Sequence, residues 1–256
     1  MGGSSPVGCF YLDTCVILSD ILAENMARIG KLKNDSNIHN IPCYVSESAK
    51  KETYKKVQGT SDFLGNVVRD TMKYSLEEHR QRRKIPLTAP MTSDDMKVLE
   101  RLFSHYHNAV RTTKVGLPRP VSLIEEWAIR YLAEKLDKGI SVDIKQFLRE
   151  LVGELLKLTS SFEDLCDDLL EYQKGYVKIS KVTADPMTVA KLEIIRGMHD
   201  PDSVHLASAI SHQNARKEKT VFVTLDYDTI LRERDLIWKQ FGLRCCDPLY
   251  AIYHAI

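Results

Sequence analysis

Four acidic residues occupy four short, chemically distinct frames spread along the chain: FYLDTCVIL around Asp13, YVSESAKKET around Glu52, DPDSVHLASA around Asp202 and VFVTLDYD around Asp226. Each frame sets a carboxylate at or beside the end of an apolar element. In an open parallel sheet, the carboxyl ends of the strands are where ligand-holding side chains collect. The pattern therefore demands a fold that gathers those ends in one place.

The flanking segments are compatible with such a sheet. Residues 7–12 read as a short buried strand, and residues 16–31 follow as a helix with Ile17, Ile21, Leu22 and Ile29 on one face. A polar turn, NDSNIHN, leads to a second strand at 41–45, and Ser46 or Ser48 caps a basic helix over 50–57. Near the C-terminus, helices at 187–198 and 202–212 precede strands at 220–225 and 243–246, and Pro248 opens a last short helix. Strand and helix alternating through short links imply parallel strands joined by right-handed crossovers.

Between these blocks the grammar changes. Residues 63–83, 94–111, 123–136, 144–158 and 162–172 all carry helical periodicity, the third opened by a capping box, Ser122 to Glu125. Two Pro-bearing loops, IPLTAPMTS and VGLPRPVS, punctuate the run. The expected organisation is an α/β core of residues 1–58 and 183–256 with an all-helical insertion, 59–182, between the second and third acids.

Each carboxylate has a bland reading when taken alone. Asp13 is placed to cap a helix, and Glu52 to pair on a helix with Lys55 or Lys56, with Glu47 competing for its role. Asp202 suits a helix dipole, with Asp200 as its alternative, and Asp226 suits a turn. Jointly they converge on one crevice if the two acid-bearing strands are adjacent. Four carboxylates in one crevice repel, so they need divalent cations or raised pKa values. Oxygen ligands without His or Cys select Mg²⁺ or Mn²⁺ over zinc. Paired ions of that kind suit phosphodiester hydrolysis.

The frames YLDTCVIL, VSESAKKE, DPDSVHLASA and VTLD resemble those of PIN-domain nucleases, including the VapC-type ribonuclease toxins, over about residues 7–57 and 186–254. The resemblance implies a PIN-like parallel five-stranded sheet flanked by helices, holding Mg²⁺ or Mn²⁺ for cleavage of RNA. By position, Asp13, Glu52, Asp202 and Asp226 would be the metal-binding acids, supplemented by Asp228, with the hydroxyls of Thr14 and Thr224 holding ligands or water. RNA is the expected partner; a second copy of the chain and a protein inhibitor or antitoxin are further candidates. The long helical segment departs from the compact toxins and is a candidate lid, substrate clamp or oligomer surface.

Substrate contacts are expected from Lys55 and Lys56, one helical turn past Glu52, and from the basic run HRQRRK with Arg80, Arg82 and Arg83. Such a surface must be local, because 36 basic residues offset 35 acidic ones over the 256 residues. The six cysteines show no C-x-x-C pair and read as buried small hydrophobes, Cys15 among those in apolar strand-like stretches. His105 and His107, two apart on a helix, point to different sides. No apolar stretch approaches a membrane span and the start, MGGSSPVG, is not a signal peptide, so a soluble cytoplasmic protein is expected. Two other classes compete with a nuclease: a non-catalytic RNA-binding or assembly module on the same fold, and a phosphatase of the haloacid dehalogenase type. The second is set low because Cys15 stands where that family needs an Asp.

Overall fold

Cys9–Leu12 is buried at every position, the signature of a strand covered on both faces in the middle of a parallel sheet. In the computed structural model, which describes residues 8–113, 118–172, 174–195 and 198–255, this segment is β1. Val7, the expected start of that strand, lies outside the described residues, as do the rest of the N-terminal segment 1–7 and positions 115–117 of the second Pro loop. The chain divides into two compact units, Met1–Lys55 with Asp164–Ile256, and Lys56–Glu163.

The first unit is built on β1, β2 (Cys43–Ser46), β3 (Val177–Ser180), β4 (Thr220–Val223) and β5 (Arg244–Cys246). They form one sheet in the order β3-β2-β1-β4-β5, with every neighbouring pair parallel. The α/β, five-stranded parallel expectation holds. The chain first winds outward through β2 to β3, then returns to add β4 on the other side of β1. The strand order therefore reverses between β1 and β4, which makes the carboxyl end of that pair the crevice of the fold.

Helices α1 (Thr14–Ile21), α2 (Met26–His39), α8 (Pro186–Glu193), α9 (Asp200–Arg216), α10 (Arg234–Phe241) and α11 (Ala251–Ala255) belong to this unit. One core joins Cys9, Tyr11, Phe222 and Cys245 of the sheet to Leu206, Ala207, Ala209 and Ile210 of α9. The small residues on α9 let it lie close to the strands. The single helix expected over 16–31 is two: Ala23 and Asn25 take positive φ values of 56° and 48° and break it. The polar NDSNIHN segment is the end of α2, not a turn. Its polar groups find local partners, Ser36 Oγ donating to Ile41 O at 2.7 Å and Lys31 Nζ to Asp35 at 2.8 Å, so helix continues until Asn40 adopts φ 52°.

The all-helical expectation for 59–182 fails at its C-terminal end, where VKIS forms β3 against β2. Four residues on the sheet's outer edge, partly exposed, leave too short a period to read. Nor are the helices separate where the sequence suggested breaks. α3 (Glu47–Gly65) runs through a π-helical segment, Asn66–Met72, into α4 (Lys73–Arg82), and α7 (Ile144–Cys166) continues as Asp167–Glu171. The parts of these helices between Lys56 and Glu163, with α5 (Ser93–Thr113) and α6 (Pro118–Asp137), supply the second unit. Ser122 lies inside α6, so the capping box forms no helix start; the helix begins at Pro118, a residue suited to the first turn. Among the described residues, no helix is long and apolar enough to cross a membrane.

Candidate active site

Leu12 pairs with Val223 in register, so Asp13 and Thr224 leave the sheet side by side. Asp13 N donates to Val223 O at 3.0 Å, and the Thr224 hydroxyl donates to Asp13 Oδ2 at 2.7 Å. Asp13 also caps α1, accepting from Thr14 N at 2.7 Å through Oδ1. The capping and site readings of this residue are thus the same geometry seen twice. Asp226, two residues past Thr224, donates its own N–H to the Thr224 hydroxyl oxygen at 3.0 Å. Its carboxylate accepts from the backbone of Asp228 at 3.1 Å and Thr229 at 3.0 Å, which shapes the turn.

Two helices bring the remaining acids. Ser46 Oγ accepts from Ala49 N at 3.0 Å and starts α3, on which Glu52 turns back to receive the Thr14 hydroxyl at 2.9 Å. Asp202 lies in the first turn of α9. Burial first, then the charges of Asp13, Asp226 and Glu52, push its carboxyl up to about 6, with His205 working the other way. The acids that act on Asp202 are thus the other three of the four frames. The rivals Glu47 and Asp200 are exposed.

His205 is a member that the sequence reading missed. It follows Asp202 by one helical turn, so both sit on one face of α9. Its Nδ1 lies 3.2 Å from Asp13 Oδ1 and 3.5 Å from Thr14 Oγ1, and its Nε2 lies 3.3 Å from Glu52 Oε2. Burial works against a charged ring, but the hydrogen bond to Asp13 and the charges of Asp13, Glu52 and Asp202 outweigh it and raise its pKa. The same contacts act on Asp13. Burial alone would raise its pKa, yet His205, Thr224 and Cys15 together hold it below the usual carboxylate range. The neighbours of Asp13 and Glu52 therefore include an imidazole. The available signal was the histidine in DPDSVHLASA, three positions after the acid.

Cys15 also departs from its expected place. It lies in the first turn of α1, donating to Asp13 Oδ2 at 3.1 Å and accepting from Leu225 N at 3.1 Å. Burial and then Asp13 keep its thiol well above its ordinary pKa, so it remains a neutral clasp between the two acid-bearing turns.

The expected substrate contacts divide. Lys55 and Lys56 are exposed on α3, three and four residues past Glu52. Arg80 is a correction: it is fully buried and forms a fork on Asp95, with Nε to Oδ1 at 2.9 Å and Nη2 to Oδ2 at 2.6 Å. Its remaining donors reach Pro86 O at 3.1 Å, Ala89 O at 3.3 Å and Pro90 O at 2.8 Å, so it organises a loop and touches no substrate. Arg82 pairs with Glu78 and Arg83 with Asp94, both at the surface. Asp228 is exposed and serves Asp226 through its backbone N–H.

Among the described residues, the acids are not drawn to the spacing of a filled metal site. The group whose ligand atoms lie within 4.8 Å of one another is Cys9, His212 and Glu218, which is a different set. There burial pushes the Cys9 thiol up to about 11, leaving it protonated near neutral pH, and its sulfur is a poor donor for Mg²⁺. Carboxylates that repel one another are expected to stand apart until a cation is present. Comparison with family models, curated proteins and solved structures finds no match for this chain.

Proposed function

We propose that this protein is a metal-dependent endoribonuclease, with a PIN-like core interrupted between Glu52 and Asp202 by a helical insertion. The observation that carries the reading is the position of Asp202. Its carboxylate is half-buried, accepts no hydrogen bond among the described residues, and faces Asp13, Asp226 and Glu52 closely enough for their charges to raise its pKa to about 6. Like charge at a sheet's switch point, offset only in part by His205, is costly in the free protein and is relieved by a hard divalent cation.

The residues fit Mg²⁺ or Mn²⁺. Glu52, Asp202 and Asp226 offer partly exposed carboxylates, and Asp13 adds a buried one. When bound, such ions activate a water and stabilise the oxygens of an in-line displacement at phosphorus. The protein's own contribution is orientation. Thr224 and Cys15 fix Asp13 from one side, Thr14 holds Glu52, and three backbone N–H groups including Ile230 N at 3.4 Å fix Asp226. His205 balances Asp13 and Glu52 when no other cation does.

The test is cleavage of end-labelled RNA with Mg²⁺, with Mn²⁺ and with chelator. Metal-dependent products ending in 5′-phosphate and 3′-hydroxyl are expected, lost in Asp13→Asn and in Asp226→Asn. Cleavage by both variants at the wild-type rate would end the nuclease reading. Metal-independent RNA binding with no cleavage of varied substrates would favour the non-catalytic module.

A further inference from the structure

The loop that follows Asp226 forms one wall of an open groove of about 900 Å³, closed on its other sides by α10, β5 and the C-terminal turns. β5 is the outer strand of the sheet, and among the described residues no strand covers its far edge. Four aromatic side chains open into this one groove: Tyr227, Trp238, Tyr250 and Tyr253, at 50%, 47%, 57% and 73% exposure. Large rings scattered singly over a surface need no explanation, but four sharing one groove do.

Cations accompany the rings. The Arg244 guanidinium lies 4.9 Å from the centre of Trp238, the Arg28 guanidinium 5.5 Å from that of Tyr227, and Lys31 Nζ 6.0 Å from that of Tyr253. The nearby acid Asp247 is already engaged, accepting from Arg28 at 3.0 Å and from Leu249 N at 2.7 Å. His254, also lining the groove, has its imidazole pKa pushed down, first by burial and then by Arg244, Arg234 and Lys219. A second lining acid, Asp235, lies 3.9 Å from Arg234, so the lining arginines Arg232, Arg234 and Arg244 outnumber the lining acids by one, in a chain that is almost neutral at +1.

We propose that this groove holds single-stranded RNA beside the acidic crevice, its bases stacking on Trp238, Tyr250 and Tyr253 and its phosphates meeting Arg234 and Arg244. The inference rests on the nuclease reading, since Tyr227 directly follows Asp226 and so leads the strand from the groove to the acids. Rings with adjacent cations suit unpaired nucleotides, whose base faces are free, and do not require sequence readout. A duplex offers phosphates without open base faces, so discrimination between the two forms is the signature.

The experiment measures fluorescence anisotropy of a labelled oligouridine and of a duplex of equal length. Full-length protein carrying Asp202→Asn is used, so that bound RNA is not cut. The single strand is expected to bind more tightly. Trp238→Ala and Tyr253→Ala should each weaken binding on the order of 10-fold, while Trp238→Phe, which keeps a ring, should preserve it. Arg244→Ala should lower the slope of log affinity against log salt by about 0.7, a change that lost folding alone would not produce. Equal affinity for both forms, or unchanged binding in both ring-to-alanine variants, overturns the proposal. If wild-type protein cuts RNA while the ring variants keep its KM, the groove assignment falls and the nuclease stands. Ring-dependent binding without cleavage by wild type under any metal leaves the groove and removes the nuclease.

Discussion

The Nδ1 of His205 lies 3.2 Å from Oδ1 of Asp13, with side-chain exposures of only 3% and 7%. Two groups so enclosed are costly to separate, because removing one leaves the other's charge without compensation. His205→Ala should therefore destabilise the protein in chelator by about 3 kcal/mol, read from urea unfolding. The pH dependence has a definite sign. The folded-state pKa of His205 is raised, so its contribution is complete below the unfolded value near 6.5 and fades as pH rises through the folded value. Wild type should lose more stability over that window than His205→Ala, in which only the decline due to Asp202 remains. An identical pH slope in both proteins would show that the ring carries no charge in the fold.

Asp202 has the opposite character. Its carboxyl is raised to about 6, against about 3.9 in an unfolded chain, so the folded state favours the protonated form. Stability is greatest below the lower value and declines as pH rises through the higher one. Asp202→Asn should then melt at a higher temperature than wild type at pH 8 without metal, while losing cleavage. Mn²⁺ should raise the melting temperature of wild type and do so less in the variant, since ligand binding stabilises only the form that holds it. A variant that melts lower in chelator, or gains as much from Mn²⁺, contradicts the assignment.

In the second unit, Arg80 and Asp95 form a two-pronged pair with neither residue exposed. Burial opposes the charge on Asp95, but Arg80 and the N–H and hydroxyl of Thr92 outweigh it and lower its pKa. Asp95→Ala should cost about 3–5 kcal/mol. Arg80→Lys should recover little of the pair, because an ammonium cannot fill a planar fork and three carbonyls together. The stabilisation is present above the unfolded carboxyl value and lost as pH falls through the lower, folded one. Wild type and Asp95→Ala should accordingly converge in urea midpoint between pH 6 and pH 3. A constant gap would place the pair's contribution in packing alone.

Arg80 also marks what a sequence conceals. HRQRRK reads as a basic patch because one-dimensional composition cannot show that one of its arginines turns inward to a loop of three carbonyls and a distant Asp95. β3 was hidden for a different reason, four residues at a sheet edge being too few to carry a period. The ends of β1 and β4 were legible because buried central strands are continuously apolar, with Asp13 directly after the first and Asp226 three residues after the second. His205 lay in plain view within a recognised frame. Its role stayed hidden because a buried histidine on an apolar helix is chemically ambiguous until the groups across from it are known. The rings of Trp238, Tyr250 and Tyr253 are dispersed over sixteen positions, and only the packing of β5 between α10 and the C-terminal turns collects them.

Thr224 joins the two strand-end acids through a single oxygen, donating to Asp13 Oδ2 at 2.7 Å while accepting from Asp226 N at 3.0 Å. The residue is fully buried, so replacement by valine keeps its shape but removes both bonds and leaves the Asp226 N–H unsatisfied. The cost of such a loss is about 1–3 kcal/mol, small enough for a folded variant. Its larger effect should be on turnover, because the relative orientation of Asp13 and Asp226 is no longer fixed. Thr224→Val should lower kcat by at least about 10-fold in Mg²⁺ with little change in KM, and Thr224→Ser, which keeps the hydroxyl, should recover most of it. If serine and valine behaved alike, Thr224 would be holding the fold by volume alone, and the hydroxyl bridge would have no part in aligning the acids.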